Sequence, residues 1–163
     1  MIKAQPIVQI DTNETLEHHI PWVIRAYPTV EKHLKVGDYG ILGFSDWAHP
    51  YFIVERKSLS DLIGSLTQRR DQFFVEIEAM RRFNFAAIIV EGLWEQVEAG
   101  DYRSRAEPNS MLATIAAIEV RANVHFVWGG TVDGAVARFE AFVRQFVRGI
   151  EKDIRRLEAR PPE

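Results

Sequence analysis

Three residues of this chain have the types and spacing for metal-assisted chemistry: Asp38, Glu55 and Lys57. Asp38 follows Gly37 at the head of one apolar run, and Glu55-Arg56-Lys57 closes another, Phe52-Ile53-Val54. An apolar strand seldom ends in three charges unless they are solvated, paired or hold a metal, because desolvating charge is costly. If the two runs are neighbouring strands of a hairpin, both carboxylates reach the same edge of a sheet. Such oxygen donors suit a hard cation like Mg²⁺, which keeps several of its waters. Lys57 stands two residues past Glu55, so on a strand the two side chains share a face. A lysine there orients the attacking water, donating to it as an ammonium or accepting from it as the neutral amine. The cation lowers the pKa of that water and offsets charge on a phosphate under attack. An Asp followed by Glu-x-Lys on the next strand is what metal-assisted phosphodiester hydrolysis needs. The plain alternative is a solvated strand end, and the motif alone is weakly specific.

The elements that must position these residues follow from periodicity and breakers. Residues 5–11 read as a short buried strand, with Ile7, Val8 and Ile10 apolar and Asp11 closing it. Asp11 and Glu14 are either a cap and first-turn acid or acids at an active-site edge. A short helix is expected over 20–27, with Pro21 in its first turn and Pro28 ending it. His18-His19 lacks a third ligand nearby and is not read as a metal site. Strands over 29–34, 38–44 and 51–56 form an antiparallel meander, the last two joined by a loop at 45–50. Ser58 caps a helix to residue 66, with Asp61 as an acidic variant of the capping box. A second helix covers 71–83. The continuous apolar run 85–90 predicts a buried, central strand. A short helix over 93–98, a polar loop over 100–105, a helix over 108–121 and a strand over 124–128 follow. The last helix starts at Thr131 or Asp133, runs to about residue 157 and is stopped by Pro161-Pro162. This order is that of an α/β or α+β domain built on one mixed sheet.

Composition narrows the function classes. The 163 residues suit one domain with a sizeable core. The absence of cysteine excludes disulfides and thiolate metal sites. The start is too short and polar for a signal peptide, and no apolar run is long enough for a membrane helix. A cytoplasmic place is expected, nucleoid-associated in a bacterium. The net charge of −3 does not advertise a nucleic-acid binder, so any DNA contact must come from clusters such as Arg69-Arg70, Arg81-Arg82 and Arg103-Ser104-Arg105. The loop 100–109 is either a DNA-facing element or a solvated charged loop.

Gly37-Asp38-Tyr39, then Glu55-Arg56-Lys57-Ser58 and Asp61, resembles the signature of the XPF family of structure-specific DNA endonucleases, which carry the ERCC4 domain. Asp11-Thr12-Asn13-Glu14 is similar to its opening D-x-R-E, and Asp61-Leu62-Ile63-Gly64-Ser65-Leu66 to its D-L-x-x-S-L. Arg70 matches the arginine that follows, and Ile88-Ile89-Val90-Glu91-Gly92 the next buried strand. The resemblance implies a restriction-endonuclease-like α/β fold, a mixed central sheet flanked by helices. It implies a Mg²⁺ requirement, with Mn²⁺ as a substitute. Asp38 and Glu55 become metal ligands, and Lys57 the residue that orients or activates water. Asp11 and Glu14 become accessory acids, and Arg56 and Asp61 a charge pair locking the strand-helix junction. Arg70, with Arg69, Arg103 and Arg105, becomes a DNA contact.

Asn13 departs from the family's arginine, which implies loss of one contact. No helix-hairpin-helix or helicase domain is visible in the 163 residues, so a stand-alone nuclease domain of bacterial or phage type is expected. Its substrate would be branched, flap or single-strand-containing DNA, in repair, recombination, defence or phage DNA processing. Homodimerisation is expected through the apolar stripe of the last helix. The competing reading is a catalytically silent DNA-binding or assembly subunit of the same fold.

Overall fold

The apolar run ahead of Glu55 becomes an interior strand of a six-stranded mixed sheet in the computed structural model, which describes residues 5–16 and 19–159. His18 and Pro161-Pro162, and with them the expected stop of the last helix, lie outside the described residues. The strands are β1 (Val8–Ile10), β2 (Thr29–Glu31), β3 (Tyr39–Ile41), β4 (Phe52–Ser58), β5 (Phe85–Glu91) and β6 (His125–Trp128). Their order across the sheet is β2-β1-β3-β4-β5-β6. β4, β5 and β6 run parallel, so each step needs a helical crossover. Helices α1 (Leu59–Leu66) and α2 (Arg70–Met80) make the first, and α3 (Trp94–Glu98) and α4 (Pro108–Ala122) the second.

Two apolar cores result, one on each face. Ile53, Ile88 and Val90 point to the face covered by Leu62 and Leu66 of α1, Phe73 and Ile77 of α2, and Ile115 and Ile118 of α4. Phe52, Val54, Ala87 and Ile89 point to the other face, where Ala135, Phe139 and Val143 of α5 (Val132–Glu158) and the indole of Trp22 pack. β5 is buried from both sides, which is why its sequence is apolar throughout rather than alternating. It is buried as expected, but lies one strand in from the β6 edge rather than at the centre of the sheet.

Two expectations fail. The stretch 29–57 is not a meander: β2 lies parallel to β1, pairing Val8 with Thr29 and Ile10 with Glu31. Residues 32–37 then carry the chain back so that β3 runs antiparallel to β1, placed between β1 and β4. Alternation marks a half-buried strand but does not name its neighbour. The stretch 20–27 is not helical either. Its backbone groups find tertiary partners instead: Trp22 N donates to the Tyr39 hydroxyl at 2.8 Å, and Arg25 N and Ala26 N donate to Glu140 Oε1 at 2.8 and 3.0 Å. A chain whose donors are satisfied in this way gains nothing from helical bonds.

Ser58 caps α1 as read, accepting from Asp61 N at 3.0 Å, and Thr131 caps α5, accepting from Gly134 N at 3.0 Å. The 27 residues of α5 span about 40 Å. Its fully buried positions end at Val143, Phe146 still packs on Phe52 of β4 with centroids 5.3 Å apart, and Ile154 and Leu157 near its end are exposed. No described helix is long and apolar enough to cross a membrane.

Candidate active site

β4 is the element that sorts the signature residues. Its pleat sends Glu55 and Lys57 to the α1/α2 face and Arg56 to the opposite one. Asp38 is held against it from β3's lead-in. Asp38 N donates to Val54 O at 2.9 Å, and Arg56 N donates to Asp38 Oδ2 at 2.8 Å. The turn before it needs Gly37: its φ is +71°, and a Cβ there would stand 2.6 Å from Ile53 Cγ1 and 3.0 Å from Val54 O. Glycine lets the chain lie against β4 closely enough to deliver Asp38.

On that face a cavity of about 400 Å³ collects Glu14, Asp38, Glu55, Lys57, Asp61, Arg69 and Glu76, among others. Lys57 Nζ donates to Glu55 Oε1 at 2.9 Å and lies 3.9 Å from Glu76 Oε2, with its charge 5.4 Å above the Phe73 ring. Burial, then the charges of Glu55 and Glu14, push the Asp38 carboxyl well above the usual carboxylate range, against the Arg56 N–H and the Lys57 ammonium. Glu55 is raised as well. Burial is the main cause, opposed first by the charge and hydrogen bond of Lys57. Burial works against the Lys57 charge, but Glu55, Glu76 and Asp38 outweigh it and hold its pKa above the ordinary value. Lys57 is therefore an ammonium at neutral pH in the metal-free site.

The donor set fits a hard divalent cation. Five carboxylates line the cavity (Glu14, Asp38, Glu55, Asp61 and Glu76) against three permanent cations (Arg56, Lys57 and Arg69). The two acids facing each other across β3 and β4 resist ionising together, a penalty that a bound cation removes. Among the described residues no group of three His, Asp or Glu side chains forms a ready cage. Two carboxylates would leave the rest of a divalent cation's shell to water.

Arg56 belongs to a different structure. Its Nε donates to Glu91 Oε1 at 2.7 Å, and Nη1 donates to Glu14 Oε2 at 3.2 Å and to Ile20 O at 2.7 Å. Trp22 Nε1 also donates to Glu91 Oε1, at 2.8 Å, and the Tyr39 hydroxyl donates to Glu14 Oε2 at 3.0 Å. Trp22 stacks on Tyr39 with centroids 4.4 Å apart. The expected Arg56–Asp61 pair does not form, because adjacent strand residues face opposite sides. Asp61 stays at the α1 cap, accepting from the Ser58 hydroxyl at 2.7 Å, with Arg69 Nη2 3.9 Å from its Oδ1.

The remaining signature residues separate. Glu14 reaches the cavity from the 3-10 turn Thr12–Thr15. Asp11 does not line it. It is buried and occupied by Leu34 N at 2.6 Å, Asn13 N at 3.1 Å and the His33 ring at 3.2 Å, which pins the 3-10 turn to the 32–34 segment. Arg69 lines both the acidic cavity and a neighbouring one of about 640 Å³, where Arg103 and Arg105 also lie. Arg70 turns away, into the groove between α2 and α4. It donates to Thr114 Oγ1 at 3.3 Å and sits 5.0 Å over the Phe74 ring. Sequence reasoning missed Glu76 and Glu91. The signal for Glu91 is an acid closing the apolar run 85–90, the same pattern as Glu55-Arg56-Lys57 closing Phe52-Ile53-Val54. Glu76 had no signal beyond its place on the exposed side of a helix.

The family model described as ERCC4 domain matches residues 10–133, well over half of the chain. No curated protein matches the sequence. Among solved structures, XPF from Aeropyrum pernix superposes with a TM-score of 0.65 at 24% identity, over 86% of this chain and 61% of that one. The complex of XPF from Aeropyrum pernix with DNA superposes with a TM-score of 0.66 at 24% identity, over 89% of this chain and 66% of that one. The chain thus matches about two thirds or less of the length of either structure. The fold is restriction-endonuclease-like, a mixed sheet flanked by helices, as the sequence signature implied.

Proposed function

Because the chain belongs to the ERCC4 domain family, with an XPF-type nuclease domain, we propose that it is a divalent-metal-dependent DNA endonuclease acting on branched, flap or single-strand-containing DNA. The observation that carries this reading is the joint placement of Asp38, Glu55 and Lys57 in one acidic cavity. Asp38 and Glu55 would hold Mg²⁺, with Mn²⁺ as a substitute. When bound, the cation supplies Lewis-acid stabilisation of charge on the scissile phosphate and lowers the pKa of the attacking water.

The chain's own residues do the rest. Lys57, a protonated donor aimed into the cavity by Glu55, orients the water or the phosphate oxygen beside it; its raised pKa argues against a role as base in the metal-free state. The pleat of β4 fixes the Glu55–Lys57 spacing, and the Arg56 N–H fixes Asp38. Arg56 joins Glu91 on the face of β4 opposite Glu55 and Lys57 and so positions these groups from the edge of the cavity. Glu14 links the two, lining the cavity while accepting from Arg56 and Tyr39. Arg69, Arg103 and Arg105 extend from the cavity as contacts for the DNA backbone, a task suited to always-charged guanidinium groups.

Homodimerisation through α5 is part of the same reading. Beyond Phe146, which packs on Phe52, its apolar stripe continues through Ile150, Ile154 and Leu157, with Ile154 49% and Leu157 68% exposed. Sedimentation of the wild type and of I154E/L157E tests it: a dimer that the double substitution dissociates supports it, and a monomeric wild type at high concentration removes it.

Fork, flap and blunt duplex DNA incubated with Mg²⁺, Mn²⁺ or EDTA test the activity. Metal-dependent nicking is expected, lost by a hundredfold or more, on the order of magnitude of removing a key electrostatic group, in D38N, E55Q or K57A with DNA affinity retained. Absence of metal-dependent nicking on every substrate would leave the DNA-binding or assembly role in its place.

A further inference from the structure

A separate cavity of about 390 Å³ shares no lining residue with the candidate active site. Its walls include Lys32, Lys35, Trp47, His49 and Phe83. The volume is in the range of pockets that take small ligands.

Trp47 is the unusual wall. It sits at the tip of the 45–50 loop between β3 and β4 and is 38% exposed. That loop is well braced: Asp46 Oδ1 accepts from Ala48 N at 2.9 Å and His49 N at 2.8 Å, and Tyr51 N donates to Phe44 O at 3.0 Å. The indole contacts Phe83 at 6.0 Å between centroids but does not fill the space beside it. The Arg82 guanidinium lies 4.7 Å from its centroid. Trp47 is thus a partly covered aromatic at a braced loop tip, 38% exposed beside an open cavity, with a cation already over its ring.

The charges around it point to an anionic ligand. Lys32 and Lys35 are exposed on the cavity wall, and Arg82 adds a third cation. The lining carboxylate, Asp46, accepts from the His49 and Ala48 N–H groups and faces the His49 ring; it stays ionised but is outnumbered by these cations. A locally positive surface on a chain of net charge −3 is an enrichment, not the background. An aromatic face flanked by cations is the combination that binds a nucleobase and its phosphates. A base paired in a duplex is stacked and not available to an indole, so the base must be unpaired.

The cavity also adjoins the chemistry. Lys35 lines it, and three residues later comes Asp38. Their Cα atoms are therefore at most about 11 Å apart, a reach of a few nucleotides.

We propose that this cavity is a subsite for unpaired DNA, with a base stacked on Trp47 and its phosphates on Lys32 and Lys35. That the strand held there belongs to the substrate rests on the nuclease reading; the binding itself does not.

The test is the affinity of the full chain, in EDTA, for a labelled short oligothymidylate and for a blunt duplex. Wild type, W47A, W47F and a K32A/K35A variant are compared, with thermal melting showing that each is folded. The expected result is a single-strand affinity about tenfold lower in W47A and in K32A/K35A relative to the duplex, with W47F in between. Single-strand affinity unchanged in W47A and K32A/K35A, or duplex affinity falling equally, overturns the proposal. Selective loss of single-strand binding in a protein that cleaves no DNA would sustain the subsite and sink the nuclease reading. Retained cleavage with unchanged single-strand binding would do the reverse.

Discussion

Arg56 Nε and Glu91 Oε1 meet at 2.7 Å across the parallel strands β4 and β5, on the face opposite Glu55 and Lys57. The middle residue of the charged triplet is thus a clamp behind the site. It joins β5, the 3-10 turn through Glu14 and the 20–22 segment through Ile20 O. Both side chains are less than a fifth exposed, so removing one partner strands the other's charge.

R56A should therefore destabilise the fold by about 3 kcal/mol, the order of a broken buried ion pair. E91Q, which keeps a hydrogen-bond acceptor for Arg56 and Trp22, should cost less. Urea unfolding measures both. The positioning role is separated from plain instability by R56K. It should retain much of the stability but lower kcat more than DNA affinity, since an ammonium cannot bond Glu91, Glu14 and Ile20 O together.

Asp38 carries the opposite sign. Its folded-state pKa is raised, so its contribution to stability is fully present below about pH 4, the ordinary carboxylate value, and is lost as pH rises through the folded pKa. The metal-free protein should therefore lose stability from acid toward neutral pH on this group's account. D38N should melt higher than wild type at neutral pH in EDTA, with the gap closing near pH 4. Saturating Mg²⁺ should raise the wild-type melting temperature and leave D38N unmoved. A D38N protein less stable than wild type at neutral pH would contradict the burial argument.

Gly37 tests the delivery of Asp38. G37A places a Cβ against Ile53 and Val54 O at a positive φ and should cost about 2 kcal/mol or more. Because Asp38 is the next residue, the surviving folded fraction should also need a higher metal concentration for cleavage. Normal metal dependence in folded G37A would mean that the turn is not what places the carboxylate.

The arginines divide by location. Arg69, Arg103 and Arg105 line connected cavities, whereas Arg70 is engaged between α2 and α4. R103A/R105A should weaken DNA binding uniformly across sequences and reduce the slope of log affinity against log salt by about one per arginine, with little change in stability. R70A should do the reverse, lowering stability through the lost Thr114 and Phe74 contacts and leaving the salt slope close to wild type. Fluorescence anisotropy titrations over a range of salt measure the slopes.

Much of the site was legible before the fold. The period of two in a strand put Glu55 and Lys57 together, and the glycine before Asp38 marked the turn that brings the acid to β4. Ser58 and Asp61 read as a cap because a hydroxyl and an N–H three residues apart meet within one helical turn. The elements around them were equally local: the apolar period of α1, the continuous run of β5 and the Pro start of α4 each depend on neighbours in sequence.

What failed were the statements about partners distant in sequence. The helix over 20–27 gave way to bonds with Tyr39, Arg56 and Glu140 that no local pattern contains. β2 crossed to the far side of β1 because alternation fixes which side chains face inward but not which strand lies alongside.

The same division runs through the charged triplet. Residue type, spacing and strand period were enough to bring Asp38, Glu55 and Lys57 together at one cavity. Only the tertiary structure decided that Arg56 closes the back of the sheet with Glu91, that Asp11 is consumed by the backbone, and that Glu76 joins the cavity from α2. Buried charges settle where opposite charges and donors already are, and those places exist only once the sheet has brought β5, the 3-10 turn and α2 around β4.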